Sequence, residues 1–148
     1  MEKVVGPRIV ASNEGISVPH GHMAGSVAIA ASTIDEALAL VDKAKNEKVD
    51  LIKLMITGGV LDAKEKGVPG ELKMAPEMVK AVCDKAHSLG YKVAAHVESP
   101  EGVKVALENG VDSIEHGAKL DQEMINLFKE KKAFFMYDDF TSTSVCVV

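Results

Sequence analysis

The chain has 148 residues, with 17 Lys and Arg against 22 Asp and Glu and a formal net charge of −5. Hydrophobic residues make up 47% and charged residues 26%, the balance of a globular domain of ordinary size rather than a disordered chain. The lysines are interleaved with Asp and Glu, which argues against the clustered basic surface that nucleic acid requires, and no apolar run approaches the ~18 residues of a membrane span.

Trp is absent and aromatics are only 4%, so the core must come from Val, Ile, Leu, Ala and Met. Cys83 and Cys146 imply neither a disulfide framework nor a C-x-x-C zinc site. The opening Met-Glu-Lys-Val-Val-Gly-Pro-Arg lacks the long apolar region of a signal peptide. A cytoplasmic location in a reducing compartment is the expectation.

In chain order, Arg8 to Ser12 reads as a short strand after the Gly6-Pro7 breaker, followed by a Gly-rich loop from Asn13 to Gly25. Ile34, Leu38, Val41 and Ala44 recur at helical spacing, with Thr33 and Glu36 placed as a capping box. Val49 to Ile56 is the second strand, apolar apart from Asp50 and Lys53, as a buried parallel strand should be. Thr57-Gly58-Gly59 ends it, and a loop runs to Met74. Pro76 opens a helix that stops at Gly90. Tyr91 to Val97 is the third strand, and Ser99-Pro100 caps a helix ending at Asn109-Gly110. Val111 to Glu115 is the fourth strand, Asp121 caps the last helix, and Ala133 to Met136 begins a fifth strand.

Strands alternating with helices at this spacing predict βα units and a parallel sheet. An open doubly wound sheet and an arc of a (β/α)₈ barrel both satisfy the pattern. A complete barrel needs eight strands and about 250 residues, so about five strands cannot close one. The partial barrel is assigned to residues 1–137. Residues 138–148 match neither period and read as an irregular tail, either an ordinary final strand or a truncated or out-of-frame end.

Function in such sheets collects at the carboxyl ends of the strands. His96 ends the third strand, His116 ends the fourth, and Lys53 lies within the second. Imidazoles on adjacent strand ends can converge on one metal ion. A lysine in so apolar a strand favours its neutral amine, which can take up carbon dioxide as a metal-bridging carbamate. Taken singly, a strand-end His is more often a core or surface residue and a strand Lys an edge residue. Only their shared rim points to a metal site.

The run Leu51-Ile52-Lys53-Leu54-Met55-Ile56-Thr57-Gly58-Gly59-Val60 resembles the fourth barrel strand of the amidohydrolase superfamily, in its prolidase-like and imidazolonepropionase-related branch. Ala86 to His96 is similar to its helix and fifth strand, Gly110 to Gly117 to its sixth strand, and Gly6-Pro7-Arg8 with Gly21-His22 to its third strand and following loop. The resemblance covers roughly residues 4–135. It implies barrel strands three to seven of a (β/α)₈ hydrolase acting on C–N bonds. Lys53, His96 and His116 match a carboxylated lysine and two histidines that hold two metal ions, zinc by expectation. His22, Thr57, Gly58 and Gly59 fall where substrate would be met. The implied partner is a small-molecule amide, cyclic amide or Xaa-Pro-like dipeptide, with neither nucleic acid nor membrane.

The resemblance also implies what is missing. The superfamily's His-x-His pair would precede Met1, and its strand-eight aspartate would follow Val148, so an internal fragment inactive alone is expected. His20-Gly21-His22 has the His-x-His spacing but sits in a loop. His87 is assigned to a helix C-terminus, where a cationic ring suits the dipole, and Glu98 lies two residues beyond His96. Two alternatives remain: a non-catalytic βα module that self-associates as a homo-oligomer through open edges, and a flavodoxin-like nucleotide binder. The second lacks a G-x-G-x-x-G loop.

Overall fold

The structure is a computed structural model that describes residues 6–59, 62–63 and 70–137. The elements follow in the order β1 (Gly15–Ser17), β2 (Ala28–Ala30), α1 (Ile34–Asn46), β3 (Leu51–Met55), α2 (Pro76–Ser88), β4 (Lys92–Val97), α3 (Pro100–Glu108), β5 (Ser113–His116), α4 (Gln122–Lys131) and β6 (Phe134–Tyr137). The six strands form one sheet in the order β2-β1-β3-β4-β5-β6, every pair parallel. Its two outer strands, β2 and β6, do not pair, so the sheet is an open arc, consistent with a partial (β/α)₈ barrel.

Capping chemistry sets the helix starts. Thr33 Oγ1 accepts from the Glu36 N–H at 3.2 Å, and the Glu36 carboxylate reaches back to the Ser32 N–H at 2.6 Å, one residue earlier than a standard box. Ser99 accepts from the Gly102 N–H at 3.2 Å, and Asp121 from the Met124 N–H at 2.8 Å. Pro76 and Pro100 occupy first-turn positions where no N–H is needed.

Alternation divides the sheet into two faces. Ile16, Ile52, Leu54, Val93, Ala95, Val97 and Ile114 are buried on one face against the helices, and they form the core with Val79, Val82, Ala106, Leu107 and Phe128. Phe128 of α4 meets Phe135 of β6 edge-on, with ring centroids 5.4 Å apart. The other face carries Lys53 and Met55 of β3, Ala94 and His96 of β4, and Ser113 and Glu115 of β5. The register sets Lys53 beside Ala94 and Ser113, and Met55 beside His96 and Glu115.

The first strand departs from expectation. Residues 8–12 form no strand, and Ile9 is 78% exposed. They are tethered instead to Asp50, whose carboxylate accepts from the Ala11 N–H at 3.1 Å. The sheet is entered at Gly15–Ser17, inside the segment expected to be loop, and Ala28–Ala30 adds a sixth strand beyond the five anticipated. The reason is steric. A Cβ at Gly15 would come within 2.8 Å of Met55 Cε and 3.4 Å of Ala28 Cβ, so close strand approach demands glycine where propensity disfavours it. Lys53 is only half-buried, although Met55, Ala94 and His96 on the same face are buried. The tail expected over residues 138–148 lies outside the described residues.

Candidate functional site

The carboxyl ends of β3, β4 and β5 bring the chemistry together. His96 is 3% exposed on β4. His116 pairs in register with Val97, and plain alternation would aim its side chain at the helix face. Its φ of 70° breaks that alternation, and the ring meets His96 edge-on with centroids 4.8 Å apart. Lys53 lies one strand over from His96 and two residues before Met55, the register partner of His96. That diagonal is about 7–8 Å between backbones, within reach of a lysine stem.

A third imidazole completes the cluster. His22 stacks on His96 with centroids 3.9 Å apart and planes within 6° of parallel. Its backbone is fixed by Ser17 of β1, fully buried, whose hydroxyl donates to the His22 carbonyl at 2.9 Å. Gly21 makes this possible, since a Cβ there would sit 2.6 Å from Ser17 Oγ. His22 Nδ1 is also bonded to the Asp62 carboxylate. Gly59 runs beneath both rings, where a Cβ would be 2.7 Å from His22 Cε1 and 3.3 Å from His96 Cε1.

Burial holds His96 neutral, with its pKa lowered to about 4, and the neighbouring His22, His116 and Lys53 add to the effect. The Gly58 carbonyl lies 3.4 Å from His96 Nε2, and a carbonyl can only accept. The Nε2–H tautomer is therefore favoured, which leaves Nδ1 with a lone pair. His22 bonding and the Gly59 N–H at 2.9 Å hold the Asp62 carboxyl below its usual range.

Two imidazoles in edge contact, one of them neutral with a lone pair at Nδ1, and a lysine on the same face fit part of a metal-ligand set. Imidazole lone pairs lie in the ring plane, so the stacked His22 does not cover them. Among the described residues no three His, Cys, Asp or Glu side chains are arranged to hold an ion by themselves. The donors fit a shared site in which lysine takes part, and they do not complete one.

Of the residues anticipated from sequence, Lys53, His96 and His116 share one face of the sheet, and His22 and Gly59 join them. Thr57 stands differently: it is fully buried, its hydroxyl donates to the Gly58 carbonyl at 2.8 Å and accepts from the Glu98 N–H at 2.9 Å. It therefore ties the β3 loop to the β4 loop. Glu98 enters through its backbone. His20 is exposed, so of the His20-x-His22 pair only His22 reaches the cluster. His87 lies at the opposite end of the sheet, where Nε2 bonds Asp112 at 2.7 Å, so it has a carboxylate partner besides the helix dipole. Asp62, Ser17 and Glu115 were not anticipated. Glu115 sits level with His96 on the same face and accepts from Ser113 Oγ at 3.1 Å. For Glu115 the signal was available in the two-residue period of its strand, but Asp62 has no fixed spacing to any motif.

Residues 1–144 match the amidohydrolase family. The chain belongs to that family. Ochratoxinase from Aspergillus niger is 25% identical over 157 residues, which cover 90% of this chain and 32% of ochratoxinase. A Bifidobacterium longum protein described as a prolidase is 43% identical with a TM-score of 0.72, covering 85% of this chain and 30% of that one. A Xaa-Pro dipeptidase with methionine bound in its active site is 32% identical with a TM-score of 0.77, covering 90% of this chain and 36% of that one. The chain thus spans about a third of the length of these relatives. Among the described residues no helix is long and apolar enough to cross a membrane.

Proposed function

We propose that the chain carries part of the active site of a metal-dependent amidohydrolase that cleaves a C–N bond in a small amide, cyclic amide or Xaa-Pro-like dipeptide. The carrying observation is the contact of three imidazoles, His22, His96 and His116, on the sheet face that bears Lys53. The relatives described as prolidase and Xaa-Pro dipeptidase support the substrate class. Divalent metal ions, two zinc ions in the intact site, supply a Lewis acid and a water of lowered pKa when bound. Lys53, as a carbamate formed with carbon dioxide, His96 and His116 would hold them. His22, with Gly58 and Gly59, borders the substrate. Among the described residues these donors form only part of a ligand set, so turnover by this chain alone is expected to be negligible. A cytoplasmic setting and a small-molecule partner complete the proposal, without nucleic acid or membrane.

Calorimetric titration with zinc tests it. Stoichiometric binding is expected, weakened at least tenfold in Lys53→Ala, His96→Ala and His116→Asn. Asparagine is used at position 116 because it tolerates the left-handed backbone there. Native affinity in all three variants would overturn the assignment.

A second reading, self-association as a homo-oligomer, draws on the open sheet and on Phe134 of β6, which is 53% exposed on the face that carries the histidines. A sharp dimer in size-exclusion chromatography favours it, and a monomer at high concentration excludes it.

A further inference from the structure

The Asp62 carboxylate does more than close a turn. One oxygen, Oδ2, accepts both from the Gly59 N–H at 2.9 Å and from His22 Nδ1, while the Asp62 N–H donates to the Gly59 carbonyl at 2.9 Å. The loop after β3 and the loop after β1 are 40 residues apart in sequence, and this oxygen is where they are joined. The His22 ring is therefore held from three directions: by Ser17 through its carbonyl, by His96 across its face and by Asp62 at Nδ1. Among the described residues His22 Nε2 has no hydrogen-bond partner, although the side chain is only 14% exposed.

We propose that Asp62 is a positioning residue that takes the Nδ1–H of His22, fixes the ring parallel to His96, and so presents the unprotonated Nε2 as the nitrogen available to a bound ligand. A carboxylate cannot donate, so the nitrogen facing it must carry the proton. The neutral ring then has one acceptor, at Nε2, and it can receive a hydrogen bond from an N–H or O–H of a small amide or dipeptide. The hydrogen-bonding character of the ring at this point is set by a loop side chain three residues past the Gly-Gly turn. This assignment of purpose rests on the hydrolase reading, whereas the tautomer itself does not.

Imidazole ¹⁵N NMR on the metal-free chain at pH ~8.5, well above the ordinary histidine value of ~6.5, tests it directly. A His22→Gln variant assigns the signals. The native chain is expected to show His22 protonated at Nδ1. Asp62→Asn should keep that tautomer, because its amide oxygen can replace Oδ2, and Asp62→Ala should shift the population toward Nε2–H. A native His22 protonated at Nε2 would overturn the proposal. An Asp62→Ala chain that folds and retains the Nδ1–H form would also overturn it, since a residue that merely closes the turn leaves the tautomer unmoved. If Asp62→Ala does not fold, the native tautomer and the Asp62→Asn comparison still decide. Zinc affinity and turnover enter none of these readouts, so failure here is separable from failure of the hydrolase reading.

Discussion

Replacing Gly102 by Ala sets two opposed effects against each other at a position that supports the site. In an ordinary helix the change stabilises by about 1 kcal/mol. Here the new Cβ would come within 2.4 Å of Thr57 Cγ2 and 2.8 Å of Val97 Cγ1. Thr57 cannot simply rotate away, since its hydroxyl is bonded to the Gly58 carbonyl and the Glu98 N–H in a fully buried setting. Overpacking of this kind costs about 1–3 kcal/mol, and displacing Thr57 from the Glu98 N–H adds about 1–3 kcal/mol. The net expectation is destabilisation by about 1–5 kcal/mol, read as a lower urea midpoint at unchanged slope. Thr57→Ser removes the offending methyl and keeps the hydroxyl, so the double variant should recover part of the loss, with a coupling of about 0.5–3 kcal/mol. A Gly102→Ala chain as stable as the native one, or losses that simply add with Thr57→Ser, would refute the steric argument.

Other consequences follow from the same geometry. His96 should stay neutral in an NMR titration of the metal-free chain until the pH nears about 4. Because the unfolded chain takes up that proton near ~6.5, this group's contribution is complete above ~6.5 and is lost as pH falls towards about 4. The loss amounts to at most ~3 kcal/mol, and an unchanged urea midpoint between pH 7 and 4.5 in the native chain relative to His96→Gln would contradict it. Burial pushes the Asp112 carboxyl up, but bonds from Lys92, His87 and the Val93 N–H outweigh it and hold the pKa below the usual value. Asp112→Ala should therefore cost about 1–3 kcal/mol at neutral pH, and the difference from native should shrink as acid protonates the carboxylate. Burial raises the Cys83 thiol to about 12, so in a Cys146→Ser chain Ellman's reagent at pH 8 should react only at the rate of unfolding. Rapid stoichiometric labelling would show the α2 core to be open.

The parts of the fold legible in the sequence are those fixed by local chemistry. Thr33, Ser99 and Asp121 mark helix starts by side-chain bonds to nearby N–H groups, and Gly90 and Gly110 take φ of 83° and 96° after their helices. The strands that bear Lys53, His96 and His116 are recognisable because one face is continuously apolar. The first strand was not legible, because Gly15 is chosen by what packs on it from residues 28, 53 and 55. The site was half legible for a similar reason. Periodicity puts His96 on the open face, but it puts His116 on the wrong one, and only a left-handed backbone turns that ring inward. His22 and Asp62 meet across two loops, a pairing that neither loop announces.

β2 borders the sheet with only three residues, Ala28–Ala30. Along such a strand outward-directed amide groups alternate with inward ones, so an approaching polypeptide would find about one or two positions at which to continue the ladder. That border is a poor template for fibril growth. Any dimer formed by adding strand to strand has little to gain there, and it would have to use the opposite flank, where β6 runs.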